Sequence, residues 1–185
     1  MATAKFILGI LCLAAFGRGH VPNRHLLKEE PNQIIAIAEK ELGVHEATGN
    51  NDGKRVESYL KYVDCSKGAP WCAAFVSWVF HQAGYDKPRT AWSPDLFPSR
   101  LSVTVVKPGL VLGIYFKDLG RIAHCGIVTG SRGDWVSSIE GNTNVSGSRE
   151  GDGVYRKLRH IKTINRFADW LPKDHSGKEV SDESH

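Results

Sequence analysis

Residues 70–83, PWCAAFVSWVFHQA, constrain the fold more than any other segment of this chain. They read as a helix that is apolar on nearly every face, and Gly84 follows as a typical helix end. Pro70 suits the first turn of such a helix. Because the helix has almost no polar face to turn to water, the rest of the chain must fold around it.

The pattern of elements on either side of this central helix predicts the fold class. Before it, apolar positions recur at helical spacing after Pro31, up to Gly43, and again over residues 56–63. After a proline-rich stretch at 85–108, interpreted as a surface excursion, four β-rich runs are separated by glycine turns. These runs cover residues 110–116, 121–129, 134–139 and 154–165. We therefore expect an α+β protein, with N-terminal helices packed on a C-terminal antiparallel β-sheet.

The two ends of the chain read differently from this domain. The run FILGILCLAAF, with a lysine before it and small residues after it, is typical of a secretory signal peptide in residues 1–19. It is shorter than the ~20 residues that a membrane-spanning helix needs, so no stable membrane insertion is expected. An N-terminal core helix is the alternative. We expect a linker at 20–30, one domain at 31–172 and a disordered tail at 173–185.

Charge excludes one class of partner. The formal net charge is only +4, and no block of five or six basic residues occurs. A nucleic-acid-binding domain needs a much stronger basic footprint, so no nucleic-acid partner is expected. The expected signal peptide implies export to the periplasm or out of the cell, and we expect a monomer there.

The number of cysteines suggests a free, reactive thiol. Without Cys12 of the signal segment, the chain keeps Cys65, Cys72 and Cys125, an odd number. Cys72 lies in the first turn of the central helix, where free N–H groups and positive potential favour a thiolate. The alternative is a buried structural cysteine, which is common in protein cores.

A histidine within an apolar strand supplies a candidate base for this thiol. His124 lies in the run IAHCGIV, where a polar ring needs a hydrogen-bond partner or a chemical role. A core histidine bonded to a backbone carbonyl is the other interpretation. Strand alternation predicts that Cys125 faces away from His124 and is not catalytic. Cys125 and Cys65 could then form a disulfide in an oxidising compartment and leave Cys72 free.

A third polar group follows the next predicted strand. In the segment SIEGN, Glu140 and Asn142 are two residues apart, so an extended chain would point both side chains one way. A base that activates a cysteine needs a group to orient its second ring nitrogen, and a carboxylate or amide can do this. A polar hairpin turn is the competing interpretation.

Taken together, three motifs resemble the CHAP family of cysteine amidases and peptidases, relatives of the NlpC/P60 cell-wall enzymes. They are PWCAAFV in the helix, GRIAHCGIV in the strand and IEGNTN at the next strand end. The resemblance covers about residues 31–170 and implies a papain-like fold with no metal or organic cofactor. It implies Cys72 as nucleophile, His124 as base, and Glu140 and Asn142 as their polar partners. We also expect Trp71 and Asn51 to contact the substrate.

The function implied by this resemblance is hydrolysis of an amide bond in peptidoglycan, either between muramic acid and L-alanine or within the peptides. Two other functions remain open. The same site could transfer the acyl group to an amine, as a transpeptidase or a toxin would. The domain could instead bind the cell wall without cleaving it, although a pure binder has no need of the full polar set.

Overall fold

A computed structural model describes residues 26–146 and 151–172 and places helices first and strands after them. The predicted α+β class, with N-terminal helices and a C-terminal antiparallel sheet, is confirmed. Within the described residues the helices are α1 (Leu26–Lys40), α2 (Lys54–Tyr62) and α3 (Cys72–Gln82). The strands are β1 (Ser102–Val103), β2 (Val111–Phe116), β3 (Arg121–Arg132), β4 (Trp135–Thr143), β5 (Gly153–His160) and β6 (Arg166–Ala168).

Helix α3 is the centre of the molecule, as its sequence predicts. Every residue of its first nine, from Cys72 to Phe80, is buried. Its neighbours are α1, α2 and strands β3 and β4. The aromatic side chains of Tyr59, Trp71, Phe75 and Trp78 pack together where α2 meets α3. Burial of this much apolar surface stabilises α3 without any side-chain cap at its first turn.

The six strands within the described residues form one antiparallel sheet in the order β1-β6-β2-β3-β4-β5. Strands β3 and β4, which carry the predicted polar groups, are therefore hydrogen-bonded neighbours near the middle of the sheet. The sheet has apolar residues on both faces. One face joins the main core beneath the helices, and a smaller cluster on the other face includes Leu112, Val128 and Phe167.

Two parts of the structure differ from the sequence-based expectation. Helix α1 begins at Leu26, so Pro31 lies within it and the last five residues of the expected linker are helical. The proline-rich stretch is not purely a surface excursion. Short 3₁₀ turns at Ser93–Leu96 and Ser99–Leu101 fold it back, and Leu96 and Phe97 are buried in the core.

The predicted signal peptide and the tail at 173–185 lie outside the described residues. Within the part of the chain that the structure describes, none of the helices is both long enough and apolar enough to cross a membrane.

Candidate active site

The Cys72 thiol lies at the first residue of α3 and is almost completely buried. Its Sγ is 3.4 Å from Oγ of Ser93, which opens the first 3₁₀ turn of the proline-rich stretch. The first N–H groups of a helix have no acceptor within it and carry partial positive charge, an environment that stabilises a thiolate. The helix start and the folded-back stretch together enclose the sulfur.

The surroundings of Cys72 favour its ionised form. A hydrogen bond with the Cys125 thiol lowers the pKa of Cys72 most strongly, burial opposes this, and the His124 side chain lowers it again. The net effect holds the pKa of Cys72 well below its usual range. Burial raises the pKa of Cys125 well above its usual range, so that thiol keeps its proton and can donate it to the Cys72 thiolate.

The His124 ring contacts both Cys72 and the carboxylate of Glu140. Its Nε2 is 2.8 Å from Oε2 of Glu140. Because a carboxylate only accepts, Nε2 carries a proton, and Nδ1 is the nitrogen left to exchange a proton with Cys72. Burial acts to lower the pKa of His124, but hydrogen bonds and charge interactions with Cys72 and Glu140 outweigh it and raise the pKa to about 9. The Cys72–His124 pair is thus held as thiolate and imidazolium.

Glu140 is fully buried and is held by two further side chains. Oγ of Ser138 donates to its Oε1 at 2.6 Å, and Nε of Arg159 donates to the same oxygen at 2.6 Å. Nη2 of Arg159 donates to Oε2, which also accepts from His124. Burial alone would raise the pKa of Glu140, but Arg159 and His124 reverse this and lower it to about 2. The carboxylate is therefore ionised and fixed in orientation.

The absence of a side chain at Gly126 makes room for this carboxylate. A Cβ built at Gly126 would lie 2.4 Å from Cγ of Glu140, far inside van der Waals contact. Gly126 is two residues after His124 on β3 and therefore on the same strand face. The glycine lets the Glu140 side chain lie flat across β3 toward the histidine ring.

A cleft of about 190 Å³ gives access to the sulfur and the ring. Cys72, His124 and Arg121 line it, together with Asn51, Pro70, Phe116, Leu119, Ala123 and Asn142. A larger cavity of about 480 Å³ lies along strands β3, β4 and β5 and includes neither Cys72 nor His124. The smaller cleft is the candidate active site, because the polarised thiol opens into it.

Asn51 lies on the rim of this cleft, where the sequence places a substrate contact. Its backbone has a φ of 54°, and its amide side chain donates to the Gly68 carbonyl at 3.2 Å. The carboxylate of Glu46 accepts from the Asn51 backbone N–H at 2.9 Å and from Nε1 of Trp71 at 2.8 Å. Glu46 thus joins the rim of the cleft to the residue that precedes α3.

Trp71 does not fit the prediction that it contacts the substrate. Its side chain is fully buried, and it is not among the residues that line the cleft. Its ring packs against Tyr59 at a centroid distance of 5.6 Å. Trp71 packs beneath the surface next to the first residue of α3. The sequence could not predict this, because a tryptophan can be either buried or exposed to a ligand.

Asn142 lies in the cleft but does not share the environment of Glu140. Strand β4 shifts register relative to β5 between Glu140 and Thr143, and Asn142 has a φ of 53°. The expected alternation therefore fails at this point. The carboxylate of Glu140 accepts a hydrogen bond from His124, while Asn142 lines the opening of the cleft.

The disulfide considered between Cys65 and Cys125 is not formed in the structure. Cys65, Cys72 and Cys125 are all free thiols, and Cys125 is buried next to Cys72 instead of pairing with Cys65. Alternation along β3 separates the faces of His124 and Cys125, but α3 packs on the face that carries Cys125. A register shift in β2 between Ile114 and Tyr115 also leaves Ala123 unpaired in β3. Cys72 is consequently within reach of both neighbours.

Several residues that build the site were missed in the sequence. Ser138 could have been found, because it precedes Glu140 by two residues in the same strand and so shares its face. Arg159 carries no such signal, since its contact depends on how β5 pairs with β4. Ser93 and Arg121 also lack a motif of their own.

Comparison with family models and with curated protein sequences found no match for this chain. The resemblance to the CHAP family therefore depends on the three motifs and on what their residues do in the structure.

Proposed function

We propose that this protein is a cysteine amidase or endopeptidase that hydrolyses an amide bond of peptidoglycan, as a CHAP enzyme would. The observation that carries the proposal is the chain of side-chain contacts from Cys72 through His124 and Glu140 to Arg159, with its reactive end in a cleft. A structural cysteine needs neither an ionised sulfur nor an oriented imidazole. Nucleophilic catalysis needs both.

The first half of the reaction forms an acyl-enzyme. The Cys72 thiolate attacks the carbonyl carbon of the substrate, a C–S bond forms, and the carbonyl oxygen becomes an oxyanion. The backbone N–H of Cys72, at the start of α3, is available to stabilise that oxyanion. Nδ1 of the His124 imidazolium then protonates the leaving nitrogen as the C–N bond breaks, which leaves a thioester and a free amine.

The second half regenerates the thiolate. His124, now neutral, takes a proton from a water molecule through Nδ1, and the resulting hydroxide adds to the thioester carbonyl. The C–S bond breaks, the product leaves as a carboxylic acid that ionises, and Cys72 and His124 return to the ion pair. Glu140 stays ionised throughout, orients the ring through Nε2 and stabilises its positive charge.

Arg159 and Ser138 act through Glu140. They occupy the carboxylate oxygens and hold the carboxylate against rotation. Without Arg159, burial would raise the pKa of this carboxylate with less to oppose it. These two residues therefore position the site without touching the substrate.

Fragment analysis tests the proposal. Purified peptidoglycan is incubated with the protein under reducing conditions, and the soluble products are identified by mass spectrometry. New amino groups and matching carboxyl groups at one type of amide bond are the expected result, and Cys72→Ala should release none. If the peptidoglycan binds the protein but is not cleaved, the proposal is contradicted and a binding protein is favoured. Products joined to an added amine, in place of hydrolysis products, would indicate an acyl transferase.

A secreted enzyme of this kind would meet its substrate outside the cytoplasm. That location agrees with the signal peptide expected in residues 1–19. Loss of those residues from the exported protein, measured by its intact mass, would test this part of the proposal.

A further inference from the structure

Arg121 is a positively charged residue of the cleft that the proposed chemistry does not use. It begins β3, three residues before His124, and lines the same opening as Cys72. Its guanidinium carbon is 4.0 Å from the ring centroid of Trp92, and its Nη1 donates to the carbonyl of Ile122 at 3.2 Å. The contact with the indole and the backbone hydrogen bond restrict the position of the guanidinium, and no other hydrogen bond of its N–H groups is found among the described residues.

Among the described residues that line the cleft, no carboxylate balances the charge of Arg121. Arg121 also takes part in none of the ion pairs between described residues. Cys72 and His124 cancel each other as thiolate and imidazolium. The described residues of the cleft therefore carry a net positive charge, located at a planar group that binds carboxylates through two parallel hydrogen bonds.

The position of Trp92 explains why this arginine differs from an ordinary surface arginine. Trp92 comes from the proline-rich stretch, immediately before Ser93, whose hydroxyl contacts Cys72. Half of its side-chain surface is exposed. The same short segment thus contacts both the sulfur and the guanidinium, so a ligand on Arg121 would lie in the cleft that Cys72 also lines.

We propose that Arg121, supported by Trp92, binds a free carboxylate of the substrate and selects anionic peptides. This inference rests on the proposed function and deepens it, because peptides of the cell wall carry such carboxylates. Two sources share this chemistry: a carboxylate that branches from the peptide, as in a γ-linked glutamyl residue, and a carboxylate at the peptide's C-terminus. Bound by Arg121, either one would fix the register of the peptide relative to Cys72.

Binding of three matched peptides shows which of the two carboxylates Arg121 recognises. All are synthetic muramoyl peptides: one has only the branching glutamyl carboxylate, one has only the C-terminal carboxylate, and one has both as carboxamides. Dissociation constants are measured by calorimetry on the Cys72→Ala protein, which cannot turn the peptides over. We expect one of the two carboxylates to tighten binding by about 10–100-fold over the neutral peptide, the range for a hydrogen-bonded charged pair.

Substitution identifies the residue responsible. In the Cys72→Ala background, Arg121→Gln should bring the favoured peptide down to the affinity of the neutral one, and Arg121→Lys should restore part of the difference. Arg89→Gln is the matched control, because Arg89 also lies over an aromatic ring, that of Tyr62, but is not part of the cleft. It should leave all three affinities unchanged.

The outcomes keep this inference separate from the proposed function. A carboxylate preference that survives Arg121→Gln, or three peptides that bind equally or fail to bind, would overturn the role of Arg121. If the peptides show the expected Arg121-dependent preference but the wild-type protein releases no fragments from peptidoglycan, the carboxylate site stands and the hydrolase proposal fails.

Discussion

The guanidinium of Arg159 contacts both carboxylate oxygens of Glu140, with its Nε 2.6 Å from Oε1. Glu140 has no exposed surface. Removal of the guanidinium would therefore leave a buried charge without its main partner. Arg159→Met should lower the free energy of unfolding by on the order of 3 kcal/mol, as for other broken buried ion pairs. Urea unfolding at neutral pH measures this.

Arg156 on the same strand provides the control for that measurement. It forms an ion pair with Glu39 at 2.6 Å, but about half of each side chain is exposed to water. Arg156→Met should change the unfolding free energy by less than about 1 kcal/mol. Equal losses in the two variants would mean that Arg159 acts only through its general packing.

Glu140 should make stability depend on pH in a defined window. Its pKa is lowered from 4.5 to about 2 in the folded protein, so its ionised form stabilises the fold. That contribution is fully present above pH 4.5 and is lost as the pH falls toward about 2. Protonated Glu140 resembles glutamine, so the stability difference between wild type and Glu140→Gln should shrink across this window. A constant difference would contradict the lowered pKa.

The pH profile of catalysis should fall at its alkaline side because of His124. The imidazolium is present below its pKa of about 9 and disappears as the pH rises through that value. The acid side should follow protonation of the Cys72 thiolate, whose pKa is well below its usual range. Measurement of kcat/KM against pH should give a bell-shaped curve whose alkaline limb lies near pH 9.

Replacement of Glu140 should move that alkaline limb to lower pH. The negative charge of Glu140 helps raise the pKa of His124, and Glu140→Gln removes it. The variant should nevertheless keep more activity than His124→Ala, because an orienting group tunes the base whereas the base itself transfers the proton. Equal inactivity of the two variants, with both folded by circular dichroism, would assign Glu140 a larger role.

Cys125 should tune the nucleophile without being essential. Its thiol is the strongest influence that lowers the pKa of Cys72, so Cys125→Ala should raise that pKa. The pH dependence of Cys72 alkylation by iodoacetamide, followed by mass spectrometry, should then shift to higher pH. Cys65→Ala, at the partly buried third thiol, is the control and should leave the curve in place. An unchanged curve in Cys125→Ala would remove Cys125 from the site.

The positions of most helices and strands could be predicted because hydrophobic patterning indicates them. The segment that became α3 is apolar on nearly every face and could only be central. The β-rich runs after it correspond to strands β2 to β5, with ends that differ by up to five residues, whereas β1 and β6 lie outside the predicted runs. The helical start at Leu26 is not predicted, because the apolar periodicity begins only after Pro31 and the polar stretch before it has none.

A site residue could be predicted where a single helix or strand gives it an unusual environment. Contacts that depend on how two elements pack or pair could not be predicted. Cys72 and His124 each stand out within their own helix or strand. The contact between Cys125 and Cys72 depends on which face of β3 the helix covers, and the contact of Arg159 depends on the register that sets it opposite Val136. Sequence patterns specify faces within an element but not the pairing between elements.

Gly126 has a consequence for how such a chain can vary over time. Any other amino acid at this position adds a Cβ within 2.4 Å of the Glu140 side chain, so position 126 offers no neutral substitution while the carboxylate stays where it is. A substitution of Gly126 therefore requires that the Glu140 side chain moves or that Glu140 is replaced as well. In this chain, a glycine two residues after the histidine of β3 is thus a condition for keeping a buried carboxylate behind the ring.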